Sequence, residues 1–578
     1  MRAVVRFAYP VVLTLAACWL VFEMDGRPTR GVDDAQILFS YSSNLAAGKG
    51  LVYANNPEHV EGATSLLWTF VCAIPFRLGL NEIGVLAISV FLLCLTQLFA
   101  VEMVRRLAAT RKVPSLPFEF AYLLAVFSSP TYATWMSITL MDTCLWGFLV
   151  VLMTSVATFP PRSRLGTALG SLPFFFAPLS RPEAALVAPA IIALAWLRGD
   201  SRGGQGRLVF SLTAAFLASA VAVTIFRLSY FGYPLPNTYY AKVSPSLAYN
   251  LADGVTYLGG FVFNSGPLVV TAVCFLLWCA GNLFGRSVRL LRNRESMRQR
   301  GGVAPWRLVA LCAMVLLVVP VLTGGDHFLG YRFYQPAYPV TVLAVVLFLV
   351  SRLPTPSLGW LTPSGLARHR LAAAVVLGGL AYWAYSGAYK PSWMDADMSQ
   401  HKVIKDQFEA AEAGMQEGGS LRRLFAGLGE YPVLGVTAAG GIARTYPGRI
   451  VDLMGLNTPS IAHRPGARRG FKNHAAFERD VFFEVGRIDL LLASPPIPPA
   501  RSTGVSRALK GLLDDPRFTS QWRYGVLRPS GDTAVGFAAF FSAQFLESLA
   551  RTDRYRFTET MRWCAMWIPV EDTCGCAE

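Results

Sequence analysis

Asp33 and Asp34 stand together at the head of a stretch in which Ile37, Leu38, Tyr41 and Leu45 fall at helical spacing. A carboxylate at a helix start can cap free N–H groups and suits the helix dipole, so the pair has an ordinary structural use. It can equally take a proton from a hydroxyl. Glu58, His59, Glu61 and Thr64 follow in the same segment. Further along come Asp142, then Arg181-Pro182-Glu183, then Asn237 and Lys242, then Asp326, His327 and Arg332, each group at the end of an apolar run. Singly, each has a local explanation: contact with lipid headgroups, a helix-capping turn or, for Arg181 and Glu183, a structural ion pair. Jointly they are harder to dismiss. Charged groups near a bilayer are costly unless they are paired or face a cavity, and here acids and cations from separate segments gather at one face. Acids can accept a hydroxyl proton and cations can hold a phosphate, the inventory for moving a sugar from a lipid phosphate to an alcohol.

The elements that must position these groups lie in the membrane. The chain has 578 residues, 53% apolar and only 15% charged, with a mean hydropathy of +0.41. Soluble domains carry about 25% charged residues, so disorder, coiled coil, collagen and a small disulfide scaffold are excluded, and a polytopic helical membrane protein remains. The net charge of +16 fits basic cytoplasmic loops rather than nucleic-acid binding. A span needs about 20 mostly apolar residues. Eleven candidates meet this, at about 5–23, 83–104, 117–134, 138–158, 165–180, 184–198, 208–229, 258–284, 306–323, 334–352 and 369–387. The first reads as an anchor rather than a cleaved signal, because Ala16-Ala17-Cys18 sits mid-run.

With the N-terminus cytoplasmic, the inside loops hold 21 Lys and Arg residues and the outside loops before residue 388 hold 7, the bias expected of a multi-pass protein. Residues 64–80 are apolar enough to tempt an extra span, but a span there would put Arg105–Lys112 outside. They are therefore expected to lie along the outer interface, with Trp68 and Arg77 as anchors. The expected organisation is a membrane domain over 1–387, with a first outer loop at 24–82 bearing interfacial helices, and an extracytoplasmic α/β domain over 388–578. The aromatic residues of that domain, among them Trp522, Phe537, Phe540, Phe541, Trp563 and Trp567, read as core rather than as a glycan platform. Cys564, Cys574 and Cys576 lie in its tail, where an oxidising compartment favours a disulfide from Cys564 to one of the other two. Asp33, Asp34 and Asp326 could share a divalent ion, but oxygen ligands alone do not announce one, and no metal site is assigned.

Several stretches resemble the GT-C superfamily of membrane glycosyltransferases, in the branch of the mycobacterial terminal β(1→2) arabinofuranosyltransferases and their bacterial relatives. They are Asp33-Asp34, Asn44-Leu-Ala-Ala-Gly48-Lys-Gly50-Leu-Val-Tyr, Glu58-His-Val-Glu61-Gly-Ala-Thr64, Arg181-Pro-Glu183, Tyr230-Phe-Gly-Tyr-Pro-Leu-Pro-Asn237-Thr, Ala241-Lys242, Gly324-Gly-Asp326, Arg332, Ala439-Gly440 and Asp452-Leu-Met-Gly455-Leu456-Asn457. Two positions depart: the family's Gly-Leu-Glu-Thr is met by Leu140-Met141-Asp142-Thr143, and the aromatic-Met pair after Gly-Gly-Asp by His327-Phe328.

The resemblance implies a polyprenyl-phosphate sugar as donor, for example a decaprenyl-phosphoryl arabinofuranose, with no nucleotide sugar, and a glycan or protein hydroxyl as acceptor at the outer face of a bacterial inner membrane. It implies Asp33 or Asp34 as the base and Lys242, Arg332 and Arg181 as holders of the leaving phosphate. Glu61, Asp142, Glu183, Asn237, Asp326 and His327 would form the substrate pocket. A lipid flippase or transporter is the rival from another class; it would place ionisable groups near the midplane and show repeats. A surface protein such as a pilin is the rival acceptor.

Overall fold

The computed structural model describes residues 2–198, 205–264, 303–328, 330–352, 396–466, 468, 475–493, 508–531 and 536–559. The expected span at 369–387, residues 265–284 of that at 258–284, and Cys564, Cys574, Cys576, Trp563 and Trp567 lie outside them.

The first part of the chain is a helical bundle. Its helices are α1 (Arg2–Met24), α2 (Asp33–Ala46), α3 (Leu66–Arg77), α4 (Asn81–Arg111), α5 (Leu116–Phe127), α6 (Pro130–Met136), α7 (Thr143–Thr158) and α8 (Arg164–Ser180). They continue as α9 (Ala184–Leu197), α10 (Gln205–Tyr230), α11 (Asn237–Lys242), α12 (Leu247–Asn264), α13 (Pro305–Leu322) and α14 (Tyr338–Arg352). Among the described residues, four stretches are long and apolar enough to cross a membrane: Arg6–Met24, Asn81–Arg111, Gln205–Tyr230 and Pro305–Leu322. With the shorter apolar helices beside them, they make the chain a multi-pass helical membrane protein.

Helix α3 has 12 residues, about 18 Å of rise, too short to span the hydrocarbon on its own. Its Trp68 is not the interfacial anchor expected from the sequence. The ring is fully buried and its Nε1 donates to the Leu140 carbonyl at 3.1 Å, because an indole that buries its apolar body still needs a partner for its one donor. Arg77, at the end of α3, is exposed and donates to the Ala46 carbonyl at 3.3 Å.

Beyond the bundle, helix α15 (Ala396–Leu424) leads into a six-stranded sheet of order β2-β1-β3-β5-β4-β6. Strands β1 (Leu434–Val436), β2 (Ile450–Asp452) and β3 (Leu490–Leu492) pair in parallel. Strands β4 (Trp522–Pro529), β5 (Phe537–Ser542) and β6 (Tyr555–Glu559) continue the sheet antiparallel. The parallel strands are short and almost wholly buried, as strands covered on both faces must be. Trp522, Phe537, Phe540 and Phe541 are buried core residues of this sheet. A single apolar core runs from the bundle into the sheet, and the turns at the ends of β1 and β2 meet the first loop of the bundle.

Candidate active site

Helix α2 begins where Gly31 turns the chain. Its φ of 72° is open to glycine, and a Cβ there would sit 2.7 Å from the Thr139 carbonyl. The close approach lets the Val32 N–H donate to that same carbonyl at 3.2 Å. Asp33 and Asp34 then occupy the first turn of the helix, where successive side chains point about 100° apart, and their surroundings separate them.

Asp33 turns to the sheet domain. Its carboxylate accepts the Gly441 N–H at 2.8 Å and the Gly440 N–H at 3.1 Å. Burial raises its carboxyl to about 6, against the lowering effect of the Gly441 bond and with the neighbouring Asp34 charge adding to the rise. Asp34 turns to a cavity of about 380 Å³. Its Oδ2 lies 3.3 Å from Arg332 Nη1 and 3.6 Å from Lys242 Nζ. Burial alone would raise this carboxyl, but the Lys242 and Arg332 charges overcome it and hold it at about 2.

The cations arrive from separate elements. Lys242 ends the short helix α11. Arg332 opens the 3-10 turn Arg332–Tyr334, its guanidinium 4.5 Å from the Phe328 ring centre and 5.2 Å from that of Phe333. Its Nε meets Asp326 Oδ2 at 2.6 Å. Asp326 is sealed from solvent, and its other oxygen accepts the His327 N–H at 2.9 Å. Burial would raise the Asp326 carboxyl, yet Arg332 beside it holds it far below the usual range. Arg181 breaks α8 in an extended conformation and is held between Asp142, at 3.0 Å, and Glu183, at 2.8 Å.

The cavity is lined by Asp34, Thr64, Ser65, Asp142, Arg181, Glu183, Thr238, Tyr239, Lys242 and Arg332, with Ile37, Leu38, Leu186, Leu235, Val243 and Leu322 among its apolar walls. Of the groups singled out in the sequence, it therefore gathers Asp34, Asp142, Arg181, Glu183, Lys242 and Arg332. Asp326 and His327 stand behind Arg332.

Glu61 and Asn237 do not line it. Glu61 holds Arg227 of α10 in a buried two-oxygen pair, at 2.8 Å. The Arg227 residue, alone in the apolar run of α10, was the signal that a buried acid must come to meet it. Asn237 donates to the carbonyls of Gly455 and Leu456, at 2.8 Å each, and so fixes the turn that sets Leu456 in the cavity wall. That turn is built by Asp452, whose carboxylate accepts the N–H groups of Met454 and Asn457 at 2.9 Å. Of the three acids offered to a divalent ion, Asp33 faces the Gly440 and Gly441 N–H groups while Asp34 and Asp326 both face Arg332, and among the described residues no group of three or more metal-ligating side chains is gathered.

Fold and site together define a multi-pass helical membrane protein with a cavity, polar on one side and apolar over most of its wall, set against a mixed sheet domain. No protein-family model matches the chain. It is similar to the terminal β(1→2) arabinofuranosyltransferase of Corynebacterium glutamicum, with 25% identity over 346 residues, which is 54% of this chain and 48% of the relative. The enzyme of the same name from Mycobacterium tuberculosis is 29% identical over 265 residues, 43% of this chain and 40% of the relative. The chain thus spans about half the length of the curated relatives it matches. Among solved structures, ArnT from Cupriavidus metallidurans bound to undecaprenyl phosphate aligns with a TM-score of 0.43 at 12% identity, covering 78% of this chain and 87% of that one. The apo form aligns at 0.40, covering 78% and 86%. The family resemblance read from the sequence agrees with these relatives.

Proposed function

We propose that the protein is a GT-C-type glycosyltransferase that moves a sugar from a polyprenyl-phosphate donor to a hydroxyl of a cell-envelope glycan at the outer face of the membrane. The observation that carries this reading is the single oxygen of Asp34 set between Lys242 and Arg332 in one cavity. The named relatives support arabinofuranose as the sugar.

The acceptor hydroxyl attacks the anomeric carbon as Asp34 takes its proton. The bond from that carbon to the phosphate oxygen breaks, and the polyprenyl phosphate leaves with the electron pair. Lys242 and Arg332 meet the charge that develops on it, and preorganised cations in a water-poor site are worth more than in bulk water. Arg181, already neutralised by two carboxylates, orients sugar hydroxyls together with Asp142 and Glu183. The prenyl chain leaves along the apolar wall, where Leu186 and Leu322 combine a place in the lining with exposure on the bundle surface.

Purified protein incubated with labelled prenyl-phosphoryl arabinofuranose and an arabinan acceptor tests the reading. Asp34→Asn is expected to reduce transfer by about 10² or more while donor still binds. Lys242→Ala is expected to weaken donor binding by about tenfold, the loss of one charge-assisted contact. Full activity of Asp34→Asn would remove the proposed base. Mass spectrometry of lipid that co-purifies with the chain would name the sugar and the prenyl length.

A further inference from the structure

We propose that Asp34 occupies the anion position of its own site until a donor phosphate displaces it, so that binding of the donor is what frees the base. The inference rests on the donor reading above.

Three observations lead to it. The same oxygen of Asp34 approaches both cations, at 3.3 and 3.6 Å, which is where one oxygen of a bound phosphate would be held. Asp34 is also the replaceable member of the cluster. Its side chain is 21% exposed and lines the cavity, whereas Asp326, the other acid on Arg332, is fully sealed. Finally, the two acids differ in what else secures them. Asp326 has the His327 N–H as well as Arg332. Among the described residues the Asp34 carboxylate accepts its hydrogen bond from Arg332, and Lys242 meets no other carboxylate within ion-pair distance.

The exchange also balances charge through the reaction. The bound donor is a phosphodiester carrying one negative charge, and Asp34 carries another. Once the hydroxyl proton has passed to Asp34 and the carbon–oxygen bond has broken, Asp34 is neutral and the leaving monoester carries two. The total in the cavity is unchanged, so the two cations serve first the carboxylate and then the phosphate with no buried charge created. A base clamped by two cations is weak, since opposite charges favour its ionised form. The same carboxylate, with its cations turned to phosphate, is a stronger one.

The test uses the full chain in detergent with undecaprenyl phosphate as probe. Neutral Asp34→Asn and Asp34→Ser should each bind it about tenfold or more tightly than wild type, because a like charge beside the phosphate has been removed. Asp34→Glu, which keeps the charge, should stay within about threefold of wild type. Because an uncompensated cation pair could impair folding of one neutral variant, the rise in Tm on adding the probe is read alongside for all three; it should be larger in the neutral variants than in wild type. Equal or weaker binding by both neutral variants, or tighter binding by Asp34→Glu as well, overturns the displacement. Failure of wild type and every variant to bind the probe would instead overturn the donor reading itself.

Discussion

Two neighbouring aspartates perform different tasks because a helix turns about 100° between them. Asp33 meets backbone N–H groups from the far end of the chain, and Asp34 meets cations in the cavity. Their acidities part accordingly, to about 6 and about 2. For Asp33 the sign is that of a carboxyl raised above its unfolded value, about 3.9. The folded state holds this proton more tightly, so its contribution to stability is complete below about pH 4 and is lost as pH rises through about 6. Removing the side chain's titration with Asp33→Asn should therefore cut the gain in unfolding free energy on acidifying from about pH 7 to about pH 4.5 by up to about 2 kcal/mol, read as a smaller rise in Tm. Asp34, Asp452 and Glu417 all influence or face this carboxyl, and Glu417 is itself raised to about 7, chiefly by burial. Only the difference between wild type and variant isolates Asp33, and identical pH profiles would refute the assignment. A second buried charge gives a larger effect. Glu61→Gln leaves Arg227 uncompensated in the bundle and should cost about 3–5 kcal/mol, read as a lowered Tm, with Glu61→Gln/Arg227→Met recovering part of the loss. The sequence displayed both aspartates but could not choose between them. The choice depends on Gly440 and Gly441, about four hundred positions away, and nothing in a local pattern reports that contact.

The elements were easier to read than their partners. Apolar runs with basic flanks mark α4, α10 and α13 directly, since a bilayer dictates length and composition. What the runs could not show is which irregular turns would join them at the site. Leu140 takes a φ of 59° and Tyr331 one of 51°, both uncommon for a side chain-bearing residue. Both stand just ahead of site residues, Asp142 and Arg332. The Gly440-Gly441 turn is the tightest of these junctions: a Cβ on Gly440 would sit 1.9 Å from the Asp33 carbonyl oxygen, so only glycine allows the sheet domain this close to α2. Gly440→Ala must push that turn away and tilt the start of the helix that bears Asp34. A misplacement of about 1 Å at a reacting group can cost about 10² in rate. Transfer is thus expected to fall by about that factor in Gly440→Ala, while donor affinity, which the proposed site assigns to Lys242 and Arg332, changes by less than about threefold. A variant that lost donor binding and rate together would show that the turn supports the whole cavity rather than the base.

Over the whole molecule, the helix ends sort the charges. Asp142 precedes α7, Arg181 follows α8, Lys242 lies beyond α10, and Asp326 and Arg332 lie beyond α13, so one rim of the bundle collects the site. The opposite ends bear a different chemistry. Arg106, Arg111 and Lys112 cluster at the end of α4. There a buried Arg105–Glu119 pair at 2.9 Å, joined by Tyr9, ties α1, α4 and α5 together. A flippase would need a path for its cargo between these two rims, whereas a transferase needs only the one that holds the cavity. The excess of basic residues at the second rim supports the proposed orientation, with that rim cytoplasmic and the sheet domain and the donor's phosphate on the far side. Single cysteines at two exposed positions decide this. Thr552→Cys lies in the sheet domain and Ser163→Cys in the turn between α7 and α8, at the second rim. In intact spheroplasts a membrane-impermeant maleimide should label Thr552→Cys above the wild-type background and leave Ser163→Cys unlabelled until the membrane is opened with detergent. The reverse pattern would put the cavity in the cytoplasm, and with it would go the case for a donor presented at the outer face, because a polyprenyl-phosphate sugar can be used only from the leaflet that holds its headgroup.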